Sequence, residues 1–450
     1  MLSRALAQLP DVTAQPKSVP EAPEESPTTM FPHLPDGRFW LSGQTNFIDQ
    51  AHPPFSARYS GPNSFQTQTE NAAGYVSTLY TGMQFTKSSE VLLDFEAAAG
   101  LGLSGALGMA GFTNLDAVRD ATLSDAPYLS RVMYHQVFAL GREKTEGNRG
   151  PLSTFAKLPV HRVELRVGRF GITDFFDTNA VGSDSHLQFL NWSVDQNGAY
   201  DFTGDARGYT WGVYAEYQSL KWGARFAEAL MPGPQNGGPL VWTLRKANTS
   251  NAEVELHRAV LRKKDGIIRV LGYLNHANMG VYSEANGRYL KGETAQPDID
   301  DHPFRVTSKS GFGINMEQAL TAAITLYTRL GWNDGKTESW SFTEIDHTGS
   351  AGFGVLGNLW RRRNDRTGLA FAINGIAKEH ARYLELGGLG FVLGDGALQY
   401  AKEKEFEAYY TAHLWRGLFV GPDLQYVVDP GYNQSRGPVV VPSFRIHTEF

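Results

Sequence analysis

The chain has 450 residues, no cysteine, and a net charge of −6 from 41 basic and 47 acidic side chains. The missing cysteine excludes disulfides, thiolate zinc sites and thiol catalysis, and the charge balance offers no basic field for nucleic acid to follow. Mean hydropathy is −0.33 and no run nears the roughly 20 apolar residues of a membrane helix, yet 48 Gly, 26 Phe, 19 Tyr and 9 Trp are the composition of a turn-rich all-β chain.

Residues 1–36 differ in composition from the rest of the chain. Pro10, Pro16, Pro20, Pro23 and Pro27 lie among Glu21, Glu24 and Glu25. Such a stretch buries too little apolar surface to offset its chain entropy, so it reads as a disordered tail. Within it, Ala5-Leu6-Ala7 has the small-x-small form of a signal-peptidase site. Residues 1–7 therefore read either as ordinary tail or as the remnant of an export signal.

From residue 37 to 450 the recurring signal is alternation with period two, the strand period. Sixteen segments carry it in chain order: 39–49, 74–86, 90–99, 129–140, 160–169, 208–218, 222–231, 252–262, 267–277, 304–319, 322–333, 338–357, 366–378, 404–416, 419–428 and 438–450. In the fifth, Val163, Leu165 and Val167 alternate with Arg162, Glu164 and Arg166. In the fourteenth, Phe406, Ala408, Tyr410 and Ala412 alternate with Glu405, Glu407, Tyr409 and Thr411. One face is apolar throughout and the other is charged.

The links alternate too. They are tight at 86–89, 219–221, 263–266 and 416–418, and long at 50–73, 100–128, 170–207, 232–251, 278–303 and 379–403. Two links break the rule: 141–159 is long where a short one is expected, and 334–337 is short where a long one is expected. Alternating long and short links are what an up-and-down barrel produces when its two rims face different compartments. The fold class expected is therefore an all-β, transmembrane, antiparallel barrel of about sixteen strands, with an inward-folded constriction loop. Half of each strand then faces a polar lumen, which accounts for the low hydropathy. Trp222, Trp332, Trp340, Trp360, Trp415 and Phe419 near strand ends suit interfacial girdles. The terminal Phe450, closing an alternating strand, resembles the assembly signal of outer-membrane barrels.

The middle of the chain carries a resemblance. Arg166-Val167-Gly168-Arg169-Phe170-Gly171-Ile172-Thr173-Asp174-Phe175-Phe176-Asp177-Thr178-Asn179 is similar to a segment of the OprB-type carbohydrate-selective porins. So are the run from Gln188 through Asn191-Trp192 and Asn197-Gly198-Ala199-Tyr200 to Asp201, the stretch Arg207–Gly212, and the strand Trp222–Pro232 with its Arg225-Phe226-Ala227-Glu228 core. The specific part covers about 160–240. The resemblance implies a sixteen-stranded outer-membrane channel that admits sugars and small solutes by diffusion. One branch of the family is described as a manganese porin, and the Asn-Gly-Ala-Tyr-Asp run is at least as similar to that branch.

A pore discriminates through charge pairs and hydrogen-bonding groups at its narrowest point. The longest link, 170–207, holds Asp174, Asp177, Asp184, Asp195, Asp201 and Asp205 and is the candidate constriction. Its carboxylates read either as an acidic eyelet or as turn formers that bond local backbone. Arg162, Glu164 and Arg166 share one strand face, and Arg225 and, by a bulge, Glu228 belong to the seventh strand. A lumen lined by both signs suits neutral polar solutes. Trp40, Tyr214 and Tyr409 on the polar face are candidates to stack on a pyranose.

Metal readings arise where His257 shares a face with Glu253 and Glu255, His413 with Glu405 and Glu407, and His447 with Glu449. In a barrel the lumen face collects such residues without a metal. Arg361-Arg362-Arg363 and Lys263-Lys264 read as solvated turn charge. No nucleophile elbow, zincin or P-loop motif occurs.

The sequence thus points to an outer-membrane porin, not an enzyme, for carbohydrates and small polar solutes. It is expected to need no cofactor, to meet outer-membrane lipid, and to act as monomer or homotrimer. The alternatives are a manganese or divalent-cation porin and, outside the class, a soluble all-β carbohydrate-active enzyme.

Overall fold

The computed structural model describes residues 27–33, 37–258 and 265–450. Its strands, in chain order, are β1 (Phe39–His52), β2 (Glu70–Gln84), β3 (Ser89–Ala99), β4 (Tyr128–Ala139), β5 (Lys144–Glu146), β6 (Lys157–Pro159), β7 (Arg162–Phe170), β8 (Thr210–Gln218) and β9 (Trp222–Leu230). They continue as β10 (Asn248–His257), β11 (Gly266–Ala277), β12 (Thr307–Ala319), β13 (Ile324–Asn333), β14 (His347–Leu356), β15 (Arg366–Gly375), β16 (Glu403–Trp415), β17 (Leu418–Val428) and β18 (Val439–Glu449). Three short helices lie in the links: α1 (Trp192–Asp195), α2 (Tyr282–Leu290) and α3 (Lys378–Glu385). Sixteen strands close into one antiparallel barrel, while β5 and β6 pair as a separate hairpin. β4 therefore pairs directly with β7, and β1 closes on β18 with Asn46 opposite His447 and Ile48 opposite Arg445. Closure leaves no strand edge unpaired, the condition for a sheet to sit in hydrocarbon.

Strand parity decides what faces where. In β10, Thr249, Asn251, Glu253 and Glu255 are buried, while Ala252, Val254 and Leu256 are exposed. In β16, Glu403, Glu405, Glu407 and Thr411 are buried, while Phe406 and Leu414 are exposed. The same inversion runs round the wall: Phe95, Val167, Val213, Phe226, Val270, Phe312, Leu330, Leu369, Leu424 and Phe444 all point outward. A water-soluble sheet buries its apolar face. This one buries its polar face and presents the apolar one outside, which is the pattern of a barrel in lipid. Among the described residues no helix is long and apolar enough to cross a membrane.

The links sort by rim. On one rim they are 53–69, 100–127, 171–209, 231–247, 278–306, 334–346, 376–402 and 429–438; on the other, most are a few residues long. The link expected at 334–337 is in fact long, because β14 begins at His347 and not near 338. Every residue from Thr337 to Asp346 is buried, so this stretch lies inside the barrel, and its apparent alternation does not come from a wall strand. The 140–161 link stays long and folds back as the β5–β6 hairpin. Of the aromatics expected at the girdles, Trp222, Trp332 and Trp415 are exposed on the wall, whereas Trp340 and Phe419 are buried inside.

Several long links reach into the interior. Trp192 stacks on Phe202 with ring centroids 5.8 Å apart and on Phe342 at 5.5 Å, and these rings belong to one buried cluster with Phe112, Tyr200, Tyr282 and Tyr432. The tail expected over 1–36 falls mostly on 1–26 and 34–36, outside the described residues, as do the signal remnant at 1–7 and the Lys263-Lys264 turn. Residues 27–33 lie on the short-link rim, where the Met30 N–H donates to Glu449 O at 2.8 Å.

Candidate functional site: the charged lumen and the segment that crosses it

The segment 171–209 runs through the interior and is bonded to inward-facing side chains of most strands. Asp174 receives Arg131 of β4 at 2.7 Å, and Arg131 also contacts Asp94 of β3. Phe175 O accepts from Arg225 of β9 at 2.6 Å. The Asp177 N–H donates to Glu253 of β10 at 2.9 Å, and the Asp177 carboxylate pairs with Arg329 of β13 at 3.0 Å while accepting from Asn315 of β12 at 2.9 Å. The Leu190 and Asn191 N–H groups both donate to Glu407 of β16, and the Ser193 hydroxyl donates to Glu405. Arg445 of β18 donates to Ser185 O at 2.7 Å and Gln188 O at 2.8 Å. Buried backbone must be paired, and here lumen side chains do the pairing that a second strand would do elsewhere.

The local sequence shapes the segment for this. Asn191 caps α1 by accepting from the Ser193 N–H at 2.9 Å. The Asn197 N–H donates to Asp177 at 2.9 Å, and its side chain lies on the wall where Gly313 and Gly331 stand opposite each other in register. A Cβ on Gly331 would come within 1.9 Å of Asn197 Oδ1, so any side chain there would displace the Asn197 amide from the wall. Ala199 O accepts from the Tyr273 hydroxyl at 2.8 Å, and the Tyr200 hydroxyl donates to Asn251 at 2.6 Å. Asp201 accepts from the Trp340 N–H at 2.9 Å and the Ser341 N–H at 3.0 Å, tying the segment to the buried 334–346 link. Asp205 pairs with Arg169 at 2.7 Å, and Asp195 ends α1 in the interior.

Beside this segment the wall carries a belt of alternating charge. Glu164 takes Arg162 at 2.5 Å, Arg166 at 2.8 Å and His135 at 2.9 Å. Arg166 lies over the Tyr214 ring at 5.5 Å, and the Tyr214 hydroxyl donates to Glu216 at 2.7 Å. Arg225 then reaches Glu216 and Glu253 at 3.4 Å each and Glu255 at 2.8 Å; Arg269 links Glu255 at 2.7 Å to Glu317 at 3.1 Å. The belt spans β7 to β12 without a gap in sign.

Most of the residues singled out in the sequence lie here. Arg162, Glu164, Arg166 and Arg225 line the belt, and Asp174, Asp177, Asp195 and Asp201 lie in the crossing segment. Glu228 does not join them. The register from β8 through β10 runs without a bulge at this point, so Glu228 keeps outward parity and bonds Ser250, directly opposite, at 2.5 Å. Tyr214 and Tyr409 are packed against Phe175 and Phe189, with ring centroids 4.4 and 4.8 Å away, whereas Trp40 borders a cavity. Sequence reasoning misses Arg131, Arg329 and Arg445, three fully buried arginines that hold the segment. Each is an arginine on the polar parity of an alternating strand, and that parity is the signal that could find them.

None of the candidate metal groups gathers a third ligand among the described residues, although His447 and Glu449 keep a contact of 3.3 Å. His257 bonds Glu255 at 2.5 Å, but Glu253 and Glu255 are engaged by Arg225; Glu405 and Glu407 anchor the crossing segment, away from His413. Among the described residues no group of three or more His, Asp or Glu is arranged to hold a metal ion.

Charge in the links is paired as carefully. Burial opposes ionisation of Asp116, but His186 beside it at 3.4 Å and hydrogen bonds from Asn46 and Ser185 hold its carboxyl down at about 2. Burial likewise opposes charge on His186, and Asp116 overrides it, raising the imidazole above its ordinary value.

The matching model of known sequences is that of the carbohydrate-selective porin, OprB family, over residues 63–450. No curated protein matches the chain. Among solved structures, the high-pH structure of Pseudomonas putida OprB superposes with a TM-score of 0.67 at 16% identity, over 92% of this chain and 94% of that one. The outer membrane channel DcaP of Acinetobacter baumannii gives 0.50 at 9% identity, over 92% and 97%. At these identities the likeness is one of fold. With the closed sixteen-stranded wall, the polar lumen and a family match over most of its length, the chain belongs to the OprB family of carbohydrate-selective porins.

Proposed function

We propose that the protein is a bacterial outer-membrane porin through which carbohydrates and small polar solutes diffuse passively. The observation that carries this reading is the inverted burial: charged and hydrogen-bonding side chains inside, a continuous apolar surface outside. The segment 171–209 acts as the constriction, with Asp174, Asp177 and Asp201 spent on holding it in place. The belt of Arg162, Glu164, Arg166 and Arg225 lines the diffusion path. Alternating donors and acceptors match a sugar, whose hydroxyls both donate and accept, and they oppose no neutral solute by net charge. A manganese channel would want a converging carboxylate and imidazole set, which the paired Glu253, Glu255 and His257 do not supply. Proteoliposome swelling tests the reading. Vesicles containing the protein should swell in isotonic glucose and more slowly as the sugar lengthens. Swelling in salts but in no sugar would overturn it.

A further inference from the structure

On the side of the barrel away from the belt, the short-link rim encloses a cavity of about 360 Å³ between β1, β2 and β18. The tip of the crossing segment, through Asp184 and His186, forms its inner wall, and Arg149 of the 140–161 link closes its outer side. The size falls near the lower end of ligand pockets, roughly 300–1,000 Å³.

Two of its buried side chains are each tied down by one polar atom and leave the other without a partner among the described residues. Gln44 Nε2 donates to Thr78 at 3.0 Å, but Gln44 Oε1 has no partner; His447 Nε2 meets Glu449 at 3.3 Å, but His447 Nδ1 has none. Gln44 is 4% exposed and His447 1%. Buried polar atoms are nearly always paired, so Gln44 Oε1 and His447 Nδ1, with His33 Nε2 beside them on the same cavity, mark a place shaped for a partner. The remaining lining supplies both signs, with Asp184 and Glu449 against Arg149, and an indole, Trp40, fixed by its Nε1 donating to Ser42 at 2.8 Å. A cation or an anion would meet its own sign here, whereas a neutral polyol finds donors, acceptors and an apolar wall.

We propose that this cavity is a separate binding station, at the exit side of the channel, for one hexose-sized neutral polyol, with Gln44 and His447 as its hydrogen-bonding residues. The proposal rests on the carbohydrate reading of the pore and adds where a sugar pauses.

Single-channel recording tests it, with glucose as blocker and a polyethylene glycol of similar size as a probe of bore alone. Gln44→Leu and His447→Leu are compared with the unaltered protein, and heat-modifiable gel mobility verifies that each barrel is folded. Each variant should raise the half-blocking glucose concentration about fivefold or more, the loss of one hydrogen bond. Block by the polyethylene glycol should move less than about twofold. Should His447→Leu not fold, Gln44→Leu and His447→Gln decide in the same way. Equal glucose block in folded variants and the unaltered protein overturns the station alone. Absence of glucose block and flux in the unaltered protein overturns the carbohydrate reading, and the station with it.

Discussion

At the scale of single residues, four aspartates of the crossing segment, Asp174, Asp177, Asp201 and Asp205, are bonded to wall or link groups. Asp174 and Asp177 are each held by a fully buried arginine, Arg131 and Arg329. Removing one member of a buried ion pair strands the other, at a cost of about 3–5 kcal/mol. Asp174→Asn and Asp177→Asn should therefore leave cation over anion selectivity largely unchanged, while open-channel noise rises as the segment loosens. Reversal potentials in a salt gradient check the first point and current variance the second; a marked loss of cation preference with quiet channels would restore the eyelet reading. The aspartates are legible in the sequence, but their role is not. Their partners lie 43 and 152 residues away, beyond any spacing rule. Glu228 is misplaced by sequence for a related reason: a bulge leaves no mark that separates it from regular parity.

At the scale of elements, period two identifies all sixteen wall strands, because each strand has one face in lipid and one in a polar interior. The stretch 338–346 reads as strand because its polar and apolar residues happen to alternate; burial on both sides shows it to be an interior link. The helices α2 and α3 escape a sequence reading, since eight or nine residues inside long links carry too little helical period. They knit the long-link rim. Tyr282 of α2 stacks on His380 of α3 at 4.2 Å, and His380 Nδ1 meets Asp346 at 2.9 Å while Nε2 lies 3.5 Å from Glu344. Burial opposes charge on His380, but Asp346 and Glu344 raise its imidazole above the ordinary value; Asp346, despite its burial, is held below the ordinary carboxylate range by His380. The histidine's contribution is thus full below about pH 6.5 and is lost as pH climbs through its raised value. The aspartate's contribution is full above about pH 4 and is lost as pH falls through its lowered value. The pair should stabilise most between those limits. The gap in heat-modification midpoint between the unaltered protein and His380→Phe should be widest near pH 5.5 and narrow towards about pH 9. A gap that widens with rising pH would contradict the ion pair.

At the scale of the whole molecule, composition alone suggests a protein for water, and the architecture reverses that. Low mean hydropathy results when half of every strand lines a polar interior. Wall, rims and family are legible in the sequence; that the 171–209 and 334–346 links fold inward and pack rings such as Trp192, Phe202 and Phe342 together is not. That packing depends on closure, which brings distant links into one space. On the reading proposed above, carbohydrate diffuses through this closed wall past the anchored segment. Planar-bilayer recording of the detergent-purified protein, titrated with maltodextrins and separately with manganese, tests it most directly. Discrete conductance steps are expected, which maltodextrins reduce in a saturable way and manganese leaves without selective effect. Steps blocked or carried selectively by manganese and indifferent to sugar, or a protein that stays folded and monomeric without detergent and forms no steps, would contradict it.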